Sequence, residues 1–349
     1  TDGTSYGGRA MYLNGGSNIE LLNNIFANTS EGYAIYTSSY PNISVSNYNN
    51  LFTEGTNIGY WNSSNHISLF DWQRNTGNDV NSVSIDPFFE SDTNLHANSA
   101  GCNNTATPIS GITDDIDGET RDTLTPDIGA DEYYKTTLSG VYTIGGANPD
   151  YATIASAVND LRIKHVNGHL YFNIRDGVYN EQVSIKRIWG VNETNTVTFQ
   201  PESGTSVTMT YEPTSTDNYI VQFDDADYVI FKNMTFCATG TTFGRVFDFL
   251  DGSNNITIEN DTIIGLSTSL PSDWCAVVYS GDQTRNNNIN ILNNEIINGS
   301  IGINFQGYHT TIPDVSIRIY NNQIYDFSAY GIRIVYLDSV NICLNEMYS

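Results

Sequence analysis

The feature that most constrains this sequence is a short phrase of alternating apolar residues, flanked by asparagine, that recurs along the chain. It reads NIELLNNIF from Asn18, NISVSN from Asn42, VIFKNMTF from Val229, NITIENDTI from Asn255, NINILNNEI from Asn288, VSIRIYNNQI from Val315 and VNICLNEM from Val340. Apolar residues at every second position give a strand one face for a core and one face for solvent. A phrase that recurs at a nearly regular interval indicates a repeat architecture.

The asparagine after each strand marks the length of the repeat. These marker residues are Asn23, Asn47, Asn233, Asn260, Asn293, Asn321 and Asn345. The first two are 24 residues apart, and the last five follow one another at steps of 27, 33, 28 and 24 residues. Such steps match a coil of three short strands, which buries its inner face only when coils stack about 4.8 Å apart. We therefore predict an all-β chain that forms a right-handed parallel β-helix, or β-solenoid.

The marker asparagines have a physical reason to recur. One sharp turn in each coil needs a residue that tolerates a left-handed backbone, and asparagine does so more readily than most residues. Its amide can also bond its copies in the coils above and below. We therefore predict that the seven marker residues form an asparagine ladder along the solenoid.

The repeats stop between Trp61 and Tyr134, where the sequence becomes acidic and rich in turn residues. We predict two consecutive β-helix domains. Residues 1–134 form the C-terminal part of the first with a terminal cap segment, and residues 138–349 form the N-terminal part of the second. A second phrase, GYAIY from Gly32, SIGINF from Ser300 and YGIRIV from Tyr330, is expected to supply another strand of the coil.

A short helix is expected where the second domain begins. Asn148 can cap it with Pro149 at the first helical position, and apolar residues fall on one face at offsets of 3, 7 and 10 from Tyr151. This helix would cover the open edge of the first coil, which would otherwise invite edge-to-edge pairing.

Composition limits the partners of the chain. Its formal net charge of −25 repels nucleic acid phosphates and favours solubility and cation binding, so nucleic acid is not an expected partner. No apolar run reaches the roughly 18 residues of a membrane-spanning helix, so we expect no membrane span in this segment. Thr1 lies inside a repeat, and we expect both ends to be cuts in a longer chain.

Several phrases resemble known protein families. NIGYW from Asn57, the run SLFDWQRNTGNDVNSVSIDPFF, LHANSAG, DIDGETR and PDIGADEY make residues 1–134 resemble β-helix domains of large secreted or cell-surface proteins of Bacteroidota-type bacteria. DYATIASAV and GVYNE from Gly177 are similar to the first coils of pectin methylesterases and related pectin-lyase-like solenoids. The resemblance implies secretion, further β-helix domains in the same chain and type IX export, although no such export signal is visible here.

The chain lacks the catalytic phrases that the resembling enzymes use. The phrases QAV, DFIFG and LGRPW of the esterases do not occur, and FDFLDG at 247–252 is only loosely similar to DFIFG. Lyases and hydrolases of acidic sugars need clustered aspartates with a cationic base, and cationic residues are few here. We therefore predict no catalytic residues and no cofactor.

Two groups of acidic residues could bind cations. An acidic residue precedes several strands, at Asp225, Asp251, Asp282 and Asp338. A stripe of them could hold Ca²⁺ or present a cation-binding face, and solvated turn residues are the alternative interpretation. A second group, Asp114, Asp115, Asp117 and Glu119, surrounds Gly118 like a Ca²⁺ loop without its full pattern, so the alternative there is a structural cap.

Histidine and cysteine suggest no metal site. The histidines are scattered at His66, His96, His165, His169 and His309, and a pair four apart lacks a third zinc ligand. The cysteines Cys102, Cys237, Cys275 and Cys343 show no ligand spacing, so we expect buried small residues with one disulfide possible. The 23 tyrosines could stack on sugars, but tyrosine also suits a pleated, half-buried surface.

Two functions remain. The preferred one is a structural and adhesive β-solenoid, non-catalytic, secreted or at a bacterial cell surface, with glycans or other surface and secretion-apparatus proteins as partners. The alternative is a carbohydrate-active domain, such as a lyase, esterase or hydrolase of acidic glycans.

Overall fold

The computed structural model describes residues 8–39, 43–91, 93–132, 137–250, 252–269, 271–281, 284–307 and 314–349. The chain divides into two compact units, Thr1–Thr136 and Thr137–Ser349. No helix among the described residues is long and apolar enough to cross a membrane.

The first unit is built from short strands and one helix. Its strands are β1 (Gly8–Asn14), β2 (Ile19–Leu22), β3 (Ile25–Asn28), β4 (Gly32–Ser39), β5 (Ile43–Asn47), β6 (Asn50–Thr53), β7 (Gly59–Trp61) and β8 (Ser64–His66). β1, β4 and β7 pair in parallel, as do β2 with β5 and β3 with β6, whereas β8 pairs antiparallel with β7. Each coil therefore adds one strand to each of three sheets.

Helix α1 (Leu69–Thr76) follows β8 and carries the largest buried side chain of this unit. The Ser68 hydroxyl accepts a hydrogen bond from the Asp71 N–H at the start of the helix, and Gly77 ends it with a φ of 71°. Trp72 packs on Ile35, and a Cβ at Gly59 would lie 2.5 Å from the indole ring. Glycine is therefore required at position 59 for this close approach.

The second unit contains longer stacks of the same design. Its strands are β9 (Thr137–Ile144), β10 (His165–Ile174), β11 (Gly177–Asn180), β12 (Val183–Ile185), β13 (Val197–Pro201), β14 (Val207–Tyr211), β15 (Val221–Phe223), β16 (Val229–Lys232), β17 (Thr235–Ala238), β18 (Phe247–Phe249), β19 (Thr257–Glu259), β20 (Thr262–Ile264), β21 (Ala276–Ser280), β22 (Asn290–Leu292), β23 (Glu295–Ile297), β24 (Ile301–Gln306), β25 (Asp314–Val315), β26 (Arg318–Tyr320), β27 (Gln323–Tyr325), β28 (Tyr330–Val335), β29 (Leu337–Asp338), β30 (Asn341–Cys343) and β31 (Glu346–Tyr348).

These strands form three parallel sheets whose order follows the coils. Sheet one runs β9-β10-β13-β16-β19-β22-β26-β30, sheet two runs β11-β14-β17-β20-β23-β27-β31, and sheet three runs β12-β15-β18-β21-β24-β28. β25 and β29 form a further parallel pair, and a short 3₁₀ helix spans Asp273–Cys275. The structure confirms the predicted all-β parallel β-helix. The glycine-containing phrases at Ser300 and Tyr330 supply β24 and β28 of sheet three, as expected.

Columns of apolar side chains fill the second unit. Phe172, Phe199 and Phe231 occupy the same position of successive strands in sheet one, and all three are fully buried. Their ring centroids lie 4.9 and 4.8 Å apart, which is the spacing of the strands themselves. Strand pairing and core packing therefore share one repeat distance.

The predicted helix exists but begins later than expected. Helix α2 spans Ile154–Ile163, and its N-cap is Thr153, whose hydroxyl accepts a hydrogen bond from the Ser156 N–H. The prediction that Asn148 caps the helix is wrong, because Asn148 has a φ of 49° within a preceding turn. The apolar face is as predicted from Ile154 onward, and α2 packs against β9, β10 and β12 at the first coils.

Candidate functional site

The structure gives five of the seven marker asparagines a left-handed backbone, with φ between 55° and 60°. These five are Asn23, Asn233, Asn260, Asn293 and Asn321. Two markers differ from the prediction, because the left-handed residue beside Asn47 is Tyr48 and the one beside Asn345 is Leu344. The turn is thus conserved in shape from coil to coil, whereas the residue that occupies it varies.

A ladder of side chains does run along the turn, but it lies one residue after the left-handed position. In the second unit its members are Asp261, Asn294, Asn322 and Asn345, and Asp261 Oδ1 accepts from the backbone N–H of Met234. The Asn294 N–H donates to Asn322 Oδ1 at 2.9 Å, and the Asn322 N–H donates to Asn345 Oδ1 at 2.9 Å. Each Nδ2 donates in turn to a backbone carbonyl of the preceding coil. We call this column the inner amide ladder.

Of the seven marker residues the inner amide ladder contains only Asn345, whereas the markers Asn293 and Asn321 bond each other on the surface as predicted. Only the residue after the left-handed turn points inward, where its amide can reach the backbone of the next coil. In that surface bond Asn321 Nδ2 donates to Asn293 Oδ1 at 2.9 Å. Asn23 differs from the prediction, because it pairs with the backbone of Thr107. In the first unit, Asn49 Oδ1 accepts from the Asn24 N–H as an equivalent rung.

The predicted acidic stripe is not one column. Asp251 and Asp282 lie outside the described residues. Asp338 pairs with Val315, and the Val315 N–H donates to Asn287 Oδ1 in the preceding coil. Parallel bridges join Asn287 to Asn254 and Asn254 to Asp227, so Asp338 and Asp227 belong to one column. Asp225 lies two residues before Asp227, in a different column, so Asp225 and Asp338 do not stack.

The described stripe residues also have local partners. Asp225 accepts hydrogen bonds from the Arg187 guanidinium at 2.6 Å. Burial raises the pKa of Asp225, while the charge of Arg187 lowers it. Asp338 is exposed and accepts a hydrogen bond from the Ser339 N–H. Asp225 is thus an ion-pair partner, and only Asp338 fits the alternative interpretation of a turn residue.

The outward face of sheet three, opposite the apolar core, carries a row of polar side chains that no predicted site includes, and two of them, Asp248 and Asn304, are buried. One residue from each strand stands in register, and the row comprises Ser184, Gln222, Asp248, Tyr279, Asn304 and Arg333. We call it the outer row. The signal that could have found it is the apolar–polar–apolar pattern of strands such as VQF and FDF.

Direct hydrogen bonds link the first three members of the outer row. The Ser184 hydroxyl donates to Gln222 Oε1 at 3.0 Å, and Gln222 Nε2 donates to Asp248 Oδ2 at 3.0 Å. Arg245 donates to Asp248 Oδ1 at 3.1 Å, and its guanidinium lies 3.4 Å from the centroid of the Tyr279 ring. Burial raises the pKa of Asp248, although Arg245 and Gln222 oppose the shift. The Asp248 carboxylate is therefore held between the Arg245 guanidinium and the Gln222 amide.

The acidic run of the first unit forms a turn and not a Ca²⁺ loop. Asp115 Oδ1 accepts from the N–H groups of Asp117 and Glu119, and Oδ2 accepts from the Glu132 N–H. Burial acts to raise the pKa of Asp115, but these N–H donors lower it below its usual range. Among the described residues no three carboxylates of Asp114, Asp115, Asp117 and Glu119 converge on one point. The predicted ligand set is therefore wrong, because the Asp115 carboxylate is used to hold the turn.

One member of that run meets two residues that were not predicted with it. His96 Nε2 lies 2.5 Å from Asp117 Oδ2 and 3.9 Å from Asp131 Oδ1. Together they form the one group of three or more potential metal ligands among the described residues. The hydrogen bond to Asp117 raises the pKa of His96, burial opposes it, and the charge of Asp131 adds to it.

The remaining histidines and the cysteines have other surroundings. His66 is buried beside Trp72 and hydrogen-bonds Asp71, whereas His309 lies outside the described residues. Cys102 and Cys275 are buried as expected, but Cys343 is exposed. The prediction of buried cysteines is therefore wrong at Cys343.

Tyrosines of the first unit stack on one another along β1, β4 and β7. The rings of Tyr36 and Tyr60 are nearly parallel, at 8°, with centroids 4.5 Å apart, and Tyr12 stacks on the other side of Tyr36. Arg9 lies 3.8 Å from the Tyr36 centroid. The ring faces that a sugar would use are already covered by neighbouring rings, which favours the structural interpretation of these tyrosines.

Comparisons with known proteins find likenesses in structure alone. No protein family and no curated protein matches the sequence. A rhamnogalacturonan lyase matches with a TM-score of 0.33 and 10% identity over 60% of this chain, which spans 63% of the length of that enzyme. A pectin methylesterase from Aspergillus niger matches with a TM-score of 0.29 and 14% identity, over 62% of this chain and 88% of that one. A PL6 family alginate lyase matches with a TM-score of 0.24 and 9% identity, over 97% of this chain and 58% of that one. All three scores lie below 0.5, and the fold assignment rests on the strand pairing described above.

Proposed function

We propose that this chain is a structural and adhesive segment of an extracellular β-solenoid protein, without catalytic activity of its own. One observation carries the proposal: the polar columns inside and outside the coils take their partners from neighbouring coils. The inner amide ladder, the tyrosine stack and the Ser184–Gln222–Asp248 part of the outer row follow this rule. Such a surface serves to hold the solenoid rigid.

Rigidity follows from the way a solenoid is stabilised. Each coil contacts only its neighbours, so stability accumulates as the sum of coil and interface contributions. In the second unit, stacked Phe rings and inner amide hydrogen bonds each join one coil to the next. This construction suits a protein that resists proteases and transmits force at a bacterial surface.

The adhesive part of the proposal rests on charge and surface chemistry. With a net charge of −25, the chain would associate with neutral glycans, cationic surfaces or cation-bridged partners rather than with polyanions. Glycans and other surface or secretion-apparatus proteins are the proposed partners. Secretion by the type IX route belongs to the same proposal.

The test compares binding with turnover. The full chain is applied to an array of neutral and acidic polysaccharides, and the same polysaccharides are incubated with it and assayed for unsaturated and reducing ends. We expect retention on at least one glycan or cell-surface preparation and no new chain ends. Steady release of either kind of end by the purified chain contradicts the non-catalytic assignment.

A second candidate function, a carbohydrate-active domain, is favoured by one specific observation. Asp248 lies on the outward face of sheet three, where it is 5% exposed, with an arginine and an amide within hydrogen-bonding distance, and burial raises its pKa. A carboxyl of raised pKa beside a cation is suited to general acid–base chemistry. Asp248→Asn should then abolish any release of chain ends from pectin or alginate, whereas Asp217→Asn, at an exposed aspartate of the same unit, should leave it unchanged. If neither variant alters a measured turnover, the outer row is not the active site.

A further inference from the structure

Three loop segments of the first unit meet at His96. His96 precedes Ala97, which forms an isolated antiparallel bridge with Phe89, and Asp117 lies in the turn closed by the bridge between Asp114 and Thr120. Asp131 lies two residues after Gly129, whose φ is 112°. These segments pair mainly through isolated bridges, and regular strand ladders do not hold them together.

The three side chains point at a common space. His96 Nε2 is 2.5 Å from Asp117 Oδ2 and 3.9 Å from Asp131 Oδ1, and all three potential ligand atoms lie within 4.8 Å of one another. Bonds of roughly 2.0–2.2 Å at tetrahedral angles separate ligand atoms by about 3.3 Å. Shifts of about 1 Å would bring the three atoms to that spacing.

The hydrogen bonds of His96 fix which nitrogen faces the carboxylates. Asn94 Oδ1 accepts a hydrogen bond from His96 Nδ1, and Asn94 Nδ2 donates to Glu90 Oε2 at 2.6 Å, which fixes the orientation of the amide. Nδ1–H is therefore retained, whereas Nε2 is also protonated where it bonds the Asp117 carboxylate and would give up that proton to present its lone pair to a bound metal ion. A second partner on the far nitrogen that fixes the tautomer is the usual arrangement of a metal-binding histidine.

The space beside His96 is surrounded by negatively charged carboxylates, which would attract a cation. Asp131 is 9% exposed, and the cationic form of the His96 ring is 3.9 Å away. The carboxylates of Asp117 and Asp131 face the same space, so two negative charges lie beside His96 Nε2. A divalent cation between His96, Asp117 and Asp131 would relieve this repulsion.

We propose that His96, Asp117 and Asp131 bind a zinc ion that ties the three loops of the terminal segment together. Imidazole nitrogen suits zinc and similar transition metals, whereas Ca²⁺ and Mg²⁺ prefer sites made of oxygen alone. The Asp117 side chain is 55% exposed, so water can complete the coordination. The ion acts as a structural clamp on a segment that lacks strand ladders.

The experiment measures zinc binding by the full chain. The protein is stripped with a chelator and titrated calorimetrically with zinc chloride, and Co²⁺ is used in parallel because a nitrogen–oxygen site gives visible absorption bands. We expect one zinc per chain, a rise in the melting temperature of the first unit, and no equivalent effect of calcium. His96→Gln and Asp131→Asn should each weaken binding more than about 100-fold, and Asn94→Ala should weaken it about 10–100-fold.

Asp114→Asn is the matched control, since it removes a carboxylate from the same turn but not from the cluster. It should bind zinc as the wild type does. Asp117→Asn, at a partly exposed position, serves as the ligand variant if Asp131→Asn does not fold. Absence of zinc binding at millimolar concentration, or equal binding by the Asp114 and Asp117 variants, overturns the proposal. Calcium binding that survives loss of His96 overturns it as well.

Discussion

Asp261 occupies a position of the inner amide ladder that holds asparagine in the next three coils. Asp261 is buried, with 2% of its surface exposed. Oδ1 accepts the Met234 N–H at 2.7 Å, but Oδ2 is buried without a hydrogen-bond partner among the described residues. Burial raises the pKa of Asp261 well above its usual range, although the hydrogen bond from Met234 opposes this. We predict that Asp261→Asn stabilises the protein.

The magnitude follows from the neighbouring rungs. In Asn294 the Nδ2 group donates to the Ile258 carbonyl at 2.9 Å and to Asn322 Oδ1 at 3.1 Å. Asparagine at 261 would make the equivalent bonds to the Phe231 carbonyl and to Asn294. It would also remove an unsatisfied buried oxygen, which costs about 1–3 kcal/mol, and add a hydrogen bond worth about 0.5–1.5 kcal/mol. We expect a net gain of about 2 kcal/mol in the free energy of unfolding.

The gain should depend on pH with a definite sign. Because the folded-state pKa of Asp261 is raised, the wild type binds this proton more tightly when folded. The penalty of Asp261 is therefore absent below the unfolded pKa of about 3.9, grows as the pH rises towards the folded pKa, and is constant above it. The advantage of Asp261→Asn should grow over the same interval.

Differential scanning calorimetry of the full chain at several pH values between about 4 and 8 measures this difference. For a unit of this size, about 2 kcal/mol corresponds to a rise in melting temperature of roughly 4–8 °C. Glu193→Gln removes one negative charge at an exposed position of the same unit and should shift the transition by less than about 0.5 kcal/mol. A lower melting temperature for Asp261→Asn, or an advantage that shrinks with rising pH, would refute the reasoning.

Three further substitutions test the same physical account. Asp79→Asn should destabilise the first unit by about 2–4 kcal/mol. The buried Asp79 carboxylate accepts hydrogen bonds from the Trp72 indole and from serine hydroxyls, and an asparagine NH₂ group would face one of these donors. Chemical denaturation followed by tryptophan fluorescence measures the loss. Asn322→Ala should lower the free energy of unfolding of the second unit by about 2 kcal/mol, since it leaves the buried Asn294 N–H unsatisfied, and hydrogen exchange at Asn294 should rise. Phe199→Ala should cost about 3–5 kcal/mol by opening a cavity in the phenylalanine stack, and calorimetry should show the loss in the transition that Asp261→Asn raises.

The sequence predicted the strands and the coil because both follow from side-chain alternation. Every second residue of a strand must be apolar to face the core, so phrases such as VIFK and NITI reveal the inward positions directly. The helix start at Thr153 was missed because Asn148 and Pro149 carry an equally good capping signal, and tertiary contacts decide between them. There Glu181 accepts hydrogen bonds from the N–H groups of Ile154 and Ala155 and fixes the first turn of the helix.

The cluster at His96 could not be predicted from local pattern. Asp117 lies 21 residues after His96, and Asp131 follows in another loop. No strand periodicity relates these segments, so their meeting depends on the path of each loop. The outer row was predictable in principle, since its members stand on strands whose register is fixed by pairing.

The difference between strands and turns also explains the errors in the two predicted columns. Ile258, Ile291 and Ile319 stack in register, and each lies two residues before its marker asparagine, so counting from a marker locates strand residues correctly. In the last coil the left-handed residue that follows Ile342 by two is Leu344, and the asparagine comes one residue later. Adjacent asparagines, as at 293 and 294, hide this offset in the sequence. The coils differ in length, from 24 to 33 residues, because their loops differ in length. The acidic stripe was predicted by counting from one strand back across such a loop, and residues found in this way do not lie above one another. A site carried by the strands of a solenoid can therefore be predicted from its repeats, whereas a site carried by its loops requires the structure.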